Sequence, residues 1–351
     1  MKKLLLILLF SVFLITPCYA EPYDSAELHD ALPEDTSELL EGAELSPQES
    51  LGKIGDAFTD TVASGLGGAI KRALAVIAVA VICAALTVFS GSMPEYVSLG
   101  GCAAVAVISV NEVSSFITSA QQVIDILSGF SKTLLPAMCA ASAACGTLGA
   151  ATAKYAASVL FMDAFVSFSQ GIILPIIYAF LAVSISAAAF GSRPLSDIAV
   201  ALKRLCSLFM TAAALGFTVY ISISSVVASG GDAVASKLTK TAISTVLPVV
   251  GSMISDAAST VVAGAQVMRN SVGVFGMLAL LAVCAVPFAA MGLNYLSYKL
   301  AAFAVRAFGC DKLSELTSGI AAAIGMILGL AGCCAIILFV SMAISIKAVS
   351  I

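Results

Sequence analysis

Residues 272–297 read VGVFGMLALLAVCAVPFAAMGLNYLS, and these 26 consecutive residues carry no charge. Wound as a helix they reach about 39 Å, more than the roughly 30 Å hydrocarbon core of a bilayer. A strand of a membrane barrel would instead alternate polar and apolar residues over about ten positions. Helix also follows from hydrogen bonding: backbone N–H and C=O groups in hydrocarbon find no water, and a helix satisfies them within one segment. Comparable apolar segments lie on either side, at 73–90, 98–118, 134–152, 157–190, 205–228, 242–266 and 318–346. The expected fold class is therefore an all-α polytopic membrane protein.

Composition agrees. Of 351 residues 60% are hydrophobic and 11% charged, where soluble domains hold about 45–50% and 25%. Mean hydropathy is +1.07. The apolar mass is Ala, Val, Leu and Ile with much Gly and Ser and no Trp. Such small side chains let helices approach closely where lipid supplies no hydrophobic drive for association. Charge is unevenly spread: 12 of the 21 acidic residues lie between Glu21 and Asp60 beside a single base, Lys53, whereas 14 bases face 9 acids from Lys71 onward. An acidic extramembrane segment thus precedes a mildly basic membrane body. Neither has the Lys/Arg density of a nucleic-acid binder, so membrane lipid is an expected partner and nucleic acid is not.

Eight of the ten cysteines (83, 102, 139, 145, 206, 284, 333 and 334) fall in apolar segments, Cys18 lies near the N-terminus and Cys310 in a polar loop. No CxxC occurs, and the sole histidine, His29, sits in the acidic segment. A metal site, a redox dithiol and a cofactor are accordingly not expected. Lys2 and Lys3 precede an apolar run from Leu4 to Ile15, then Pro17, Cys18, Tyr19 and Ala20. This is the plan of a secretory signal, with cleavage predicted after Ala20. Residues 21–60 read as a solvated lead-in, and Leu51 to Ile70 as an amphipathic entry to the membrane.

Proline suggests an internal duplication. Pro136 and Pro175 are 39 residues apart, as are Pro248 and Pro287, and the two pairs are offset by 112. The first proline of each pair follows a Leu, and the second interrupts a long apolar segment. The loops after those long segments carry Arg193, Lys203 and Arg204 in one unit and Lys299, Arg306 and Lys312 in the other. By the positive-inside rule both loops are cytoplasmic, so the repeats are parallel and each crosses the membrane an even number of times. Segments 134–152 and 242–266, polar for spans, are then predicted to be re-entrant from outside, leaving six crossings and Cys310 in the cytoplasm. The alternative is that all eight segments cross. Five regions result: a signal peptide at 1–20, an acidic extracytoplasmic lead-in with its amphipathic entry at 21–70, two transmembrane helices at 71–128, and membrane repeat units at 129–235 and 236–351.

Asp163 and Asp256 sit inside apolar segments, where an ionised side chain costs several kcal/mol unless paired. Each is a candidate intramembrane polar site, on a solute or proton pathway or lining a wet interface. Asn111, Glu112, Asp125, Gln170 and Asn294 are weaker candidates. No His-Glu-x-x-His helix, phosphate-binding loop or Gly-x-Gly-Asp context occurs, so no catalytic centre is expected. Gly325 and Gly329 form a GxxxG within a stripe of small residues, a helix-packing face.

The signal beginning Met1-Lys2-Lys3, the acidic lead-in, the Gly-rich entry at Ser64-Gly65-Leu66-Gly67-Gly68 and the Leu-Pro segments at Pro136 and Pro248 together resemble the stage III sporulation protein AE family of endospore-forming bacteria. The resemblance implies a multi-pass component of the complex joining the mother cell to the engulfed forespore, in the outer forespore membrane. It also implies partners: other stage III sporulation proteins of the same operon, among them a secretion-type ATPase and ring-forming proteins, and stage II sporulation protein Q. It supplies no catalytic or binding residues. A self-sufficient secondary transporter for a small solute is the competing expectation, drawn from the proline-broken repeats and the buried aspartates.

Overall fold

The computed structural model describes residues 47–90, 94–144, 148–246 and 251–347 together with Leu32, Pro33 and Thr36; the described side chains are those of these three residues and of 48–89, 95–140, 158–220 and 272–343. The elements are α1 (Pro47–Ser90), α2 (Pro94–Ala144), α3 (Leu148–Phe168), a π turn (Ser169–Ile173), α4 (Leu174–Phe190), α5 (Arg193–Val246), α6 (Gly251–Ala307) and α7 (Asp311–Lys347). Among the described residues there is no strand. Proline opens α1 and α2 and is second in α5, where its missing N–H and fixed φ cost nothing. Left-handed glycines end α4 and α6: Gly191 has φ 62° and Gly309 φ 75°. A side chain at either would strain the turn.

Among the described residues six helical stretches are long and apolar enough to cross a bilayer: Gln48–Phe89, Glu95–Ala140, Ser158–Phe190, Arg193–Tyr220, Val272–Ala307 and Asp311–Ala343. The segments expected to be re-entrant are not separate elements. Residues 134–144 complete α2 and 148–152 begin α3, while 242–246 complete α5 and 251–266 begin α6. Helix α2 continues through Pro136. A proline in a helix interior costs about 3 kcal/mol. Breaking the helix would also take Leu134, Leu135 and Met138, all buried, out of the core, and would orphan further backbone groups. The boundaries drawn at 128/129 and 235/236 likewise fall inside unbroken helices.

The prolines differ in local structure. Pro175 stands in the first turn of α4, directly after the π turn, whose wider ring accommodates a residue that cannot donate to the preceding turn. Pro287 lies inside α6 with no such turn. Pro248 falls outside the described residues, and the helices do not demonstrate the duplication.

Three connections meet at one end of the bundle. Cys310 Sγ lies 3.5 Å from the Ala80 carbonyl, Cys83 of α1 abuts Gly101 of α2, and Lys312 packs on Gly191. The chain therefore runs up and down, α1 toward this end, α2 away, α3 and α4 toward, α5 away, α6 toward and α7 away. Helix α7 is central, packing against α6, α2, α4, α5 and α3. Its residues Ile320, Ile324, Ile327, Leu330, Cys334 and Ile337 are buried. Gly325 faces the Tyr295 ring of α6 and Gly329 faces Met210 of α5, so the GxxxG face packs against two helices of its own chain. The lead-in is not wholly solvated: Leu32 is buried in the core, and the Thr36 N–H donates to the Pro33 carbonyl.

Candidate functional site: the outward seam of α2

Helix α2 carries two seams with the same alternation of four and three residues. Val113, Ile117, Ala120, Ile124, Leu127, Ser131 and Leu134 are buried. Turned about half a circle away, Asn111, Ser115, Thr118, Gln122, Asp125, Gly129 and Lys132 are exposed. A 3.5-residue repeat keeps each seam on one side of the helix throughout. From Asn111 to Lys132 the outward seam measures about 32 Å, the thickness of a hydrocarbon core.

Its depth is set by its neighbour. The Tyr298 hydroxyl donates to Ser109 Oγ at 3.2 Å, and Leu134 lies against Gly276, where an added Cβ would come within 2.8 Å of the leucine. Residues 109–134 of α2 therefore run antiparallel beside 276–298 of α6, inside the span Val272–Ala307. Other helices expose apolar residues: Leu74, Val81 and Ile82 of α1, Leu205, Leu208 and Leu215 of α5, Leu296, Leu300 and Phe303 of α6. The polar outward face of α2 stands apart from them.

Polar contacts pin both ends of the seam. At the end nearer the three connections, Arg72 of α1 donates from Nε and Nη2 to Asn294 Oδ1 at 3.1 and 2.7 Å. Its Nε also lies 3.5 Å from Glu112 Oε2, the two side chains being 27% and 31% exposed. Asn294 is itself 5% exposed and donates from Nδ2 to the Ala290 carbonyl. Helices α1, α2 and α6 are thus joined at mid-bundle by a cation, a carboxylate and a buried amide. Each of the two charged side chains is about a third accessible at the surface of the bundle.

At the far end Gln170 Nε2 donates to Asp125 Oδ1 at 2.7 Å. Seven residues on along α2 and seven back along α3, Lys132 Nζ lies 3.4 Å from Asp163 Oδ1, with side chains 59% and 50% exposed. The π turn shapes this end, since it contains Gln170. Its neighbour Ser169 is fully buried, and its hydroxyl has no hydrogen-bond partner among the described residues.

Of the sequence-predicted sites, Asp163 is neither unpaired nor inside the bundle: it meets Lys132 on the outward side. Asp256 lies in α6, and its side chain falls outside the described residues. The weaker candidates Asn111, Glu112, Asp125, Gln170 and Asn294 all belong to the seam or its pinned ends. Sequence reasoning missed Arg72 as the partner of Glu112 and Asn294, and Lys132 as the partner of Asp163. The signal was present in the alternation of four and three among polar residues from 111 to 132. None of the described cysteines forms a disulfide with another described residue. Cys333 and Cys334 point apart, one toward the Met210 carbonyl and the other toward Met162. No cluster of three metal-ligating side chains occurs among the described residues.

Comparison with known proteins adds a family. The family described as Stage III sporulation protein AE matches residues 35–349. A curated Bacillus subtilis (strain 168) protein named Stage III sporulation protein AE is similar, 24% identical over 207 residues. That alignment covers 58% of this chain and 51% of the relative, so the match spans about half of the relative's length. No solved structure matches.

Proposed function

From the premise that this chain belongs to the stage III sporulation protein AE family, we propose that it is a membrane subunit of a channel or secretion-like complex linking mother cell and forespore, needed for forespore development after engulfment. The single observation that supports a subunit is the outward seam of α2. A full membrane thickness of Asn, Ser, Thr, Gln, Asp and Lys on an exposed face is unsuited to lipid, where each such group costs free energy without a partner. The chain becomes complete when something polar covers that face. A self-sufficient transporter would hold its polar pathway within its own bundle, whereas here Asp125, Lys132 and Asp163 face outward.

The proposed setting is the mother cell's outer forespore membrane. Its partners there are the other stage III sporulation proteins of the same operon, including a secretion-type ATPase and ring-forming proteins, with stage II sporulation protein Q across the intermembrane space. No catalytic role is assigned to the chain. Arg193, Arg306 and Lys312 beside the three connections support a cytoplasmic position for that end. The N-terminal segment is then extracytoplasmic once the signal is cleaved.

The test is a chain carrying Ser115→Leu, Thr118→Leu and Gln122→Leu together. These positions are exposed, so the fold and membrane insertion should survive, while sporulation should fall to the level of a deletion strain, arrested after engulfment. Normal sporulation by the triple variant, or by the deletion strain, refutes the proposal.

A further inference from the structure

We infer that a second copy of this chain covers the outward seam, lying parallel and at the same depth, so that the protein works in the membrane as a homo-oligomer joined through α2. The inference rests on the subunit reading for the need of a cover and adds what the cover is.

Copies inserted by the same route share one orientation, and in a closed cyclic arrangement equivalent residues meet at equal depth. A seam that meets itself must tolerate its own chemistry. Asn111, Ser115, Thr118 and Gln122 are uncharged; Asn111, Ser115 and Gln122 are each both donor and acceptor, so each can bond its own counterpart, while the Thr118 hydroxyl donates to the Ser114 carbonyl of its own helix and keeps its acceptor side. Polar residues of this kind at core positions of a parallel coil fix register and favour like partners. Lys132 and Asp163 offset each other within each chain, so a copy presents a neutral pair at that depth, while Gln170 holds the Asp125 carboxylate to its own chain by a hydrogen bond and leaves it one negative charge. The small residues Ser115, Thr118 and Gly129 let backbones approach. The 3.5-residue alternation is the repeat that keeps such a seam on its partner along its whole length.

The experiment uses the full chain in its natural membrane, with two differently tagged copies expressed together. Thr118→Cys and, separately, Ser115→Cys are introduced, the latter nearly isosteric in case the former perturbs folding. Leu208→Cys, on the exposed apolar face of α5, is the control. After mild oxidation, a disulfide-linked species bearing both tags should form at Thr118→Cys or Ser115→Cys at least about tenfold above the control, because seam positions of parallel coils approach disulfide distance. Absence of that species at both positions overturns the inference in either of two ways. If the new thiols react readily with an impermeant reagent, water lines the seam. If they are protected, a different protein covers it. In both cases the subunit reading stands or falls separately, on sporulation of the leucine variant.

Discussion

The Arg72–Asn294–Glu112 cluster offers the sharpest energetic test. Arg72→Met keeps most of the aliphatic volume and removes both bonds to Asn294 Oδ1, at 3.1 and 2.7 Å, and the 3.5 Å approach to Glu112. Asn294 is 5% exposed, so its carbonyl oxygen is left buried without that donor, a loss of about 1–3 kcal/mol. The ion pair is roughly a third exposed, so its share stays near the surface value of about 0–1 kcal/mol. The single variant should therefore lose about 1–4 kcal/mol, the sum of those two ranges. Asn294→Leu removes the buried acceptor, and in that background Arg72→Met should cost only the ion-pair share. The coupling energy between the two substitutions is then about 1–3 kcal/mol. It is read from unfolding midpoints of the four proteins as denaturing detergent is titrated into mild-detergent micelles. Additivity within about 0.5 kcal/mol would show that Arg72 and Asn294 do not interact, and the reasoning about the cluster would be wrong.

Three further outcomes follow from the packing and the loop chemistry. Gly276→Leu should destabilise, because even a Cβ there would approach Leu134 to 2.8 Å and Met342 to 2.9 Å. Gly332→Leu, with nothing within 4 Å, should change the same detergent midpoint by less than about a third as much. For Cys310, burial first and the Asp311 carboxylate second push the thiol above its ordinary value. Little thiolate is then present at pH 7, and maleimide labelling should climb as pH rises through and beyond 9, lagging behind a free cysteine measured alongside. Labelling already at its plateau at pH 7 would contradict this. Finally, in the detergent-solubilised single chain Lys132→Ala should cost under about 1 kcal/mol, since the pair with Asp163 is there more than half exposed on one side and half on the other. A larger loss of the detergent midpoint would mean that Lys132 is held in a drier site than its exposure suggests.

Much of the architecture was legible in the sequence by itself, because spanning a bilayer leaves the backbone few choices. An uncharged run such as 272–297 must be helical, and the bases near 193–204 and 299–312 favour one side of the membrane for both loops. Six crossings were expected, and six stretches able to cross are present among the described residues. Only the tertiary structure decided how the prolines are accommodated. Whether Pro136 ends a helix depends on what Leu134, Leu135 and Met138 bury against, and that is a property of α6 and α7. The same holds for the polar residues. Asp163 looked isolated because Lys132, its partner, is 31 positions away in the chain. Arg72 and Asn294 are 222 apart. The alternation from Asn111 to Lys132 could be read from sequence, but periodicity alone places a polar seam equally well against the core or away from it. Burial of Val113, Ile117 and Ile124 against the other helices turned that seam outward, since α2 has only one apolar side to give the core.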